Sequence, residues 1–151
     1  MSEIAGLHLD DIAHVIQLSV APVFLLTAIA TLINAMNGRL ARIVDRRRVV
    51  LERQRQPADA GLDEQAEWAA ELDQLARRGR LIYAAIFCAV LSALLVCLVV
   101  AGAFIGAMVA TNLAQAVAVL FIAAMLAMVG SLGLFLREVF LAVSGGTHYR
   151  P

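Results

Sequence analysis

Residues 10–48 read DDIAHVIQLSVAPVFLLTAIATLINAMNGRLARIVDRRR, and the reading of this stretch decides the fold. It opens on two acids, Asp10 and Asp11, runs apolar from Ile12 to Met36, and closes on Arg39, Arg42, Arg46, Arg47 and Arg48. About 25 residues at about 1.5 Å of helical rise each are enough to cross a hydrocarbon layer about 30 Å thick. The helix this predicts is wet on one side. At about 100° per residue, Gln17, Thr27, Thr31 and Asn34 fall on one stripe with Phe24 among them. Val15, Leu18, Leu25, Leu26, Ile29, Ile33 and Met36 take the other side. Pro22 removes a backbone bond inside the span and clashes with the carbonyl of Leu18, which predicts a kink.

Outward from that stretch, composition supports the same class. The chain has 151 residues, 62% hydrophobic, with mean hydropathy +0.83, which excludes disorder and argues for a membrane protein. The formal net charge is zero, yet nearly all the basic residues lie between Arg39 and Arg80, and all are arginine. With the alanine richness, this reads as the habit of a GC-rich bacterial genome. Cys88 and Cys97 sit in an apolar run at a spacing that suits neither a redox motif nor a disulfide within one helix, so they read as small buried hydrophobes. The N-terminus lacks the basic region and the small-residue cleavage site of a signal peptide.

The expected fold is an all-α integral membrane protein of three transmembrane helices, with a cytoplasmic antiparallel helical hairpin between the first and second. Residues 1–9 read as an external tail and Asp10 as the N-cap of the first span, 10–37. Residues 38–80 read as the hairpin. Its first arm carries an apolar strip, Leu40, Ile43, Val44, Val50 and Leu51, and seven arginines. Pro57 ends that arm and the stretch to Gly61 reads as a turn. The second arm carries Leu62, Ala69, Leu72 and Ala76 on one strip and opens with Asp59, Asp63, Glu64, Glu67, Glu71 and Asp73, so antiparallel pairing joins opposite charges. Residues 81–111 form the second span, with a small-residue pair at Gly102 and Gly106. Thr111 and Asn112 read as a turn, Asn112 capping the third span, 112–143, with Gln115. Ala123, Ala127, Gly130 and Ser131 give that span a face suited to packing on the second, and 144–151 read as a polar cytoplasmic tail. The arginines follow the first span, and neither the N-terminal residues nor the Asn112 turn holds one. The positive-inside rule therefore predicts a multi-pass protein of a bacterial inner membrane, N-terminus outside and C-terminus in the cytoplasm.

Four blocks carry a resemblance: Ala21-Pro22-Val23-Phe24-Leu25-Leu26-Thr27, Arg39-Leu40-Ala41-Arg42-Ile43-Val44-Asp45-Arg46, Arg78-Gly79-Arg80-Leu81-Ile82 and Leu136-Arg137-Glu138-Val139. They resemble a family of bacterial three-helix membrane proteins catalogued as domain of unknown function 2721. The block from Arg39 to Arg46 is the most distinctive part. The resemblance implies the membrane class and supplies no catalytic or ligand residues.

No enzyme motif stands out, and no catalytic residue, cofactor or metal is expected; His8, His14 and His148 are scattered. Nucleic-acid binding is excluded because the acidic arm neutralises the basic one. Glu138 is expected to pair with an arginine at the base of the hairpin, Arg80 or Arg39. Arg39, Arg42, Asp45 and Arg46 are read as hairpin and topology residues. Two functions fit. One is a homo-oligomeric cation channel in the lipid bilayer, with Gln17, Phe24, Thr27, Thr31 and Asn34 lining the pore and Asp10, Asp11 and His14 at its outer mouth attracting an inorganic cation. The other is a membrane scaffold or accessory subunit, its polar stripe packed on a partner protein and its hairpin serving as a docking arm.

Overall fold

The computed structural model describes the backbone of residues 2–55, 61–109 and 113–146, and the side chains of 20–55, 61–106 and 113–143. The described chain is helical: α1 (Ser2–Arg55), α2 (Leu62–Val109) and α3 (Ala114–Gly146). Each contains a stretch long and apolar enough to cross a membrane. The helices are longer than the sequence blocks suggest. α1 begins at Ser2, so Asp10 lies inside it and does not cap it, and residues 2–9 are helix and not a loose tail. α1 carries Pro22 within it and runs on unbroken through the arginine run to Arg55. The second hairpin arm and the second span are one helix, because no breaker separates Arg80 from Leu81. α3 passes through Arg137 and Glu138 to Gly146, past the expected start of the polar tail at Ser144.

At the helix starts, the Gly61 carbonyl accepts the Gln65 N–H at 3.2 Å and the Leu113 carbonyl accepts the Val117 N–H at 3.0 Å. Those are the first intrahelical bonds of α2 and α3, and the second puts the cap position on Leu113. The turn expected before Gly61, the Thr111–Asn112 turn and Asn112 itself, together with the side chains of Asp10, Asp11, His14 and Gln17, lie outside the described residues.

The inward face of each helix repeats every seven residues. In α1 the buried positions are Ile29, Met36, Ile43 and Val50; in α3 they are Ala124, Ser131 and Glu138. In α2 the buried positions Leu75, Gly79, Ile82, Ala85, Ala89, Ser92, Val96 and Val99 follow one another in steps of three and four. This is the repeat of left-handed, knobs-into-holes helix packing. It replaces the strip expected on the second arm: Leu62 and Ala69 are exposed, and Leu75 is buried.

By packing, the chain divides into two units, 1–32 with 89–128, and 33–88 with 129–151. In the first, Ser92 Oγ donates to the Ala124 carbonyl across to α3 at 2.8 Å. A Cβ on Gly102 would stand 3.2 Å from Val117 Cγ2, so this glycine sits at a close approach that a side chain would crowd. In the second, Ser131 Oγ donates the other way, to the Ala85 carbonyl of α2 at 2.8 Å. Such bonds contribute roughly 0.6–2 kcal/mol each between membrane helices, where apolar burial gives little drive. In the same unit, Ile43 of α1 faces Gly79 of α2, and Arg46 pairs with Glu71 at 2.6 Å. Later residues of α1 meet earlier residues of α2, so the two arms pack antiparallel. Gly130 and Cys97 are exposed and Cys88 is half-buried, which corrects the reading of Gly130 as packing face and of both thiols as core.

Candidate functional site

Two features carry the polar chemistry of the described chain. The first is a charged layer inside the unit formed by 33–88 and 129–151. Arg39 lies between Met36 and Ile43 on the inward side of α1. Arg78 lies between Leu75 and Ile82 on that of α2. Glu138 continues the line of Ala124 and Ser131 in α3. Glu138 thus occupies a position where the repeat otherwise places a core residue, while the two part-buried arginines flank the buried lines of α1 and α2. Glu138 is 0% exposed. Its Oε2 accepts from an Arg39 terminal nitrogen at 2.8 Å; its Oε1 accepts from Arg78 Nη2 at 2.8 Å and from Arg78 Nε at 3.1 Å.

Three charge-assisted bonds offset the several kcal/mol that burying a carboxylate costs. Phe135 stands one turn before Glu138, and the Arg39 guanidinium lies over its ring, 5.3 Å from the centroid. The layer keeps one positive charge in excess. The expectation that Glu138 finds Arg39 is met; its other partner is Arg78, and not Arg80, which is exposed. Arg137, about 100° further round the helix, is exposed as well.

The second feature is the outer side of α1. Val20, Phe24, Thr27, Thr31, Asn34 and Gly38 alternate steps of four and three, and all are exposed. Phe24 is 72% exposed. This line lies opposite Ile29 and Met36, so the chain's own core takes none of it. Thr27 Oγ1 donates to the Val23 carbonyl at 3.1 Å and Thr31 Oγ1 to the Thr27 carbonyl at 2.9 Å, each bonding back to its own helix. Asn34 has no such local bond among the described residues, and an amide facing hydrocarbon costs several kcal/mol unless protein or water meets it. Further along the same line come Asp45 and Arg48, also exposed. Arg42 and Arg46 lie on an adjoining face.

The second glutamate partner, Arg78, and the two serine crossings escape a sequence reading. Their signal is the phase of the three–four repeat, which an all-round apolar run hides.

The family described as protein of unknown function (DUF2721) matches residues 19–146. No curated protein and no solved structure matches the chain.

Proposed function

We propose, for a chain that belongs to the DUF2721 family of proteins of unknown function, that it assembles through α1 into a homo-oligomeric cation pore in the bacterial inner membrane. The observation that carries this reading is the outward line of Phe24, Thr27, Thr31 and Asn34 on a helix whose apolar side is already used. Three helices cannot enclose a pore alone, whereas a ring of copies turns that line onto a shared axis and gives Asn34 water or its own copy as partner. Phe24 supplies the hydrophobic constriction. Gln17 extends the lining, and Asp10, Asp11 and His14 concentrate cations at the mouth. The N-terminus lies outside and the arginine end in the cytoplasm, by the arginine asymmetry.

A second reading, a scaffold or accessory subunit, is favoured by the three–four spacing of the same line, which equally suits one helix of another protein. The mass of the detergent-solubilised complex separates the two: a closed ring of five or more copies is expected of the pore, a monomer of the scaffold. In liposomes, Phe24→Ala raises cation leak and Asn34→Leu lowers it on the pore reading. An unchanged flux in both variants rejects it.

A further inference from the structure

The block Arg39-Leu40-Ala41-Arg42-Ile43-Val44-Asp45-Arg46 places its three arginines in steps of three and four, so their guanidinia form one row along α1. Arg39, Arg42 and Arg46 line a single cleft of about 240 Å³ together with Arg78 of α2. Ile43 and Leu75 form its apolar floor, and Ala142 of α3 borders it. Among the described residues, two carboxylates pair with these cations. Glu138 takes Arg39 and Arg78, and Glu71 takes Arg46. Arg42 makes no ion pair among the described residues, and Arg39 and Arg78 share the single charge of Glu138. Like charges three and four residues apart repel each other on a helix, so Arg42, set between Arg39 and Arg46, gains from an anion of its own.

The height of the cleft along the chain is informative. α1 turns from apolar to charged at Arg39, α2 from charged to apolar after Arg80, and α3 meets its first charges at Arg137 and Glu138. The bonds from Glu138 to Arg39 and Arg78 bring these three transitions to one level. In a membrane protein that level is the headgroup region, where phosphates stand and where basic pockets between helices hold them.

We propose that the Arg39–Arg42–Arg46–Arg78 cleft binds a phosphate group, supplied by the headgroup of an anionic membrane lipid or by free phosphate. Planar guanidinium forks match phosphate oxygens two at a time. Arg42 is the principal contact because its donors are uncommitted. Arg39 and Arg78 contribute the field of the charged layer while remaining on Glu138. The inference rests on the membrane reading of the chain and is independent of its assembly through α1.

The test purifies the full chain in detergent, adds phosphatidylglycerol or phosphatidylcholine, and counts retained lipid by native mass spectrometry. The wild type is expected to retain phosphatidylglycerol selectively, and Arg42→Gln to weaken that retention about five-fold. Arg48→Gln, an equal charge loss outside the cleft, is expected to leave it unchanged. Competition with millimolar inorganic phosphate assigns the source. Displacement of the lipid by phosphate, dependent on Arg42, supports a site for the free ion; lipid retained against phosphate supports a headgroup site. Equal retention of the two lipids without an Arg42-dependent effect of phosphate, or an effect of Arg48→Gln as large as that of Arg42→Gln, overturns the proposal. A monomeric complex that still selects phosphatidylglycerol would leave this site standing while removing the pore.

Discussion

At the residue scale the chain turns on Glu138. A carboxylate with no exposed surface is tolerable because two guanidinia reach it, and it in turn permits two arginines to flank the buried lines of α1 and α2. Removing Glu138 leaves two part-exposed guanidinia without their anion and a hole in the core, so Glu138→Ala is expected to destabilise the bundle. Replacing all three members, Arg39→Leu with Arg78→Leu and Glu138→Leu, removes charge and partner together and should restore most of that loss. Thermal unfolding of the purified variants in detergent checks both; a triple variant weaker than Glu138→Ala would show that the layer stabilises the fold outright. Glu138's burial was legible only in part. The adjacency of Arg137 and Glu138 shows that they point about 100° apart, and Arg39 stands at the right distance along α1. Choosing between Arg78 and Arg80 requires the rotational phase of α2, which an apolar run such as Leu81 to Val100 does not reveal.

At the element scale, the existence of the helices was the easy part. Unbroken apolar runs and the charged periodicity from Leu40 to Arg55 announce them, and the pairing of the arms follows from opposite charge, seen in Arg46 with Glu71. What the pattern misplaces is ends and faces. α1 starts at Ser2 because nothing in residues 2–9 forbids a helix, and α2 ignores the boundary at Arg80 because charge changes the solvent a helix prefers without breaking it. The strip drawn through Leu62, Ala69, Leu72 and Ala76 is rotated by about one residue position from the buried line through Leu75, Gly79 and Ile82. Along the paired arms, the exposed ion pair contributes only about 0–1 kcal/mol, so Glu71→Gln alone is expected to have little effect on thermal unfolding. Reversing Glu67, Glu71 and Asp73 to Arg together sets like charges along both arms. It is expected to expose the region around Leu75 to limited proteolysis; unchanged cleavage would mean that apolar contacts alone hold the arms.

At the scale of the whole molecule, the three helices are long and apolar enough to cross a membrane, and their surfaces differ in kind. α2 and α3 present exposed Phe87, Leu94, Leu126 and Val129, side chains that lipid accepts. α1 presents threonines and an amide beside Phe24. That asymmetry gives the pore and scaffold readings their shared footing. The arginine asymmetry predicts a cytoplasmic C-terminus, so a reporter fused after Pro151 is expected to be active in the cytoplasm. Activity of that fusion confined to the periplasm would reverse the topology and place the arginine cleft on the outer surface.

The charged layer also imposes a sequence of events during synthesis. Arg39 and Glu138 are 99 residues apart in the chain, and Arg78 and Glu138 are 60 apart. At translation speeds of about 5–20 residues per second, the carboxylate leaves the ribosome roughly 5–20 s after the first arginine it will hold. Arg39 is without its anion for that whole interval, and Arg78 from the moment it emerges, 60 residues before Glu138. The last helix then brings Glu138 to both arginines, so the charged layer can close only when α3 arrives.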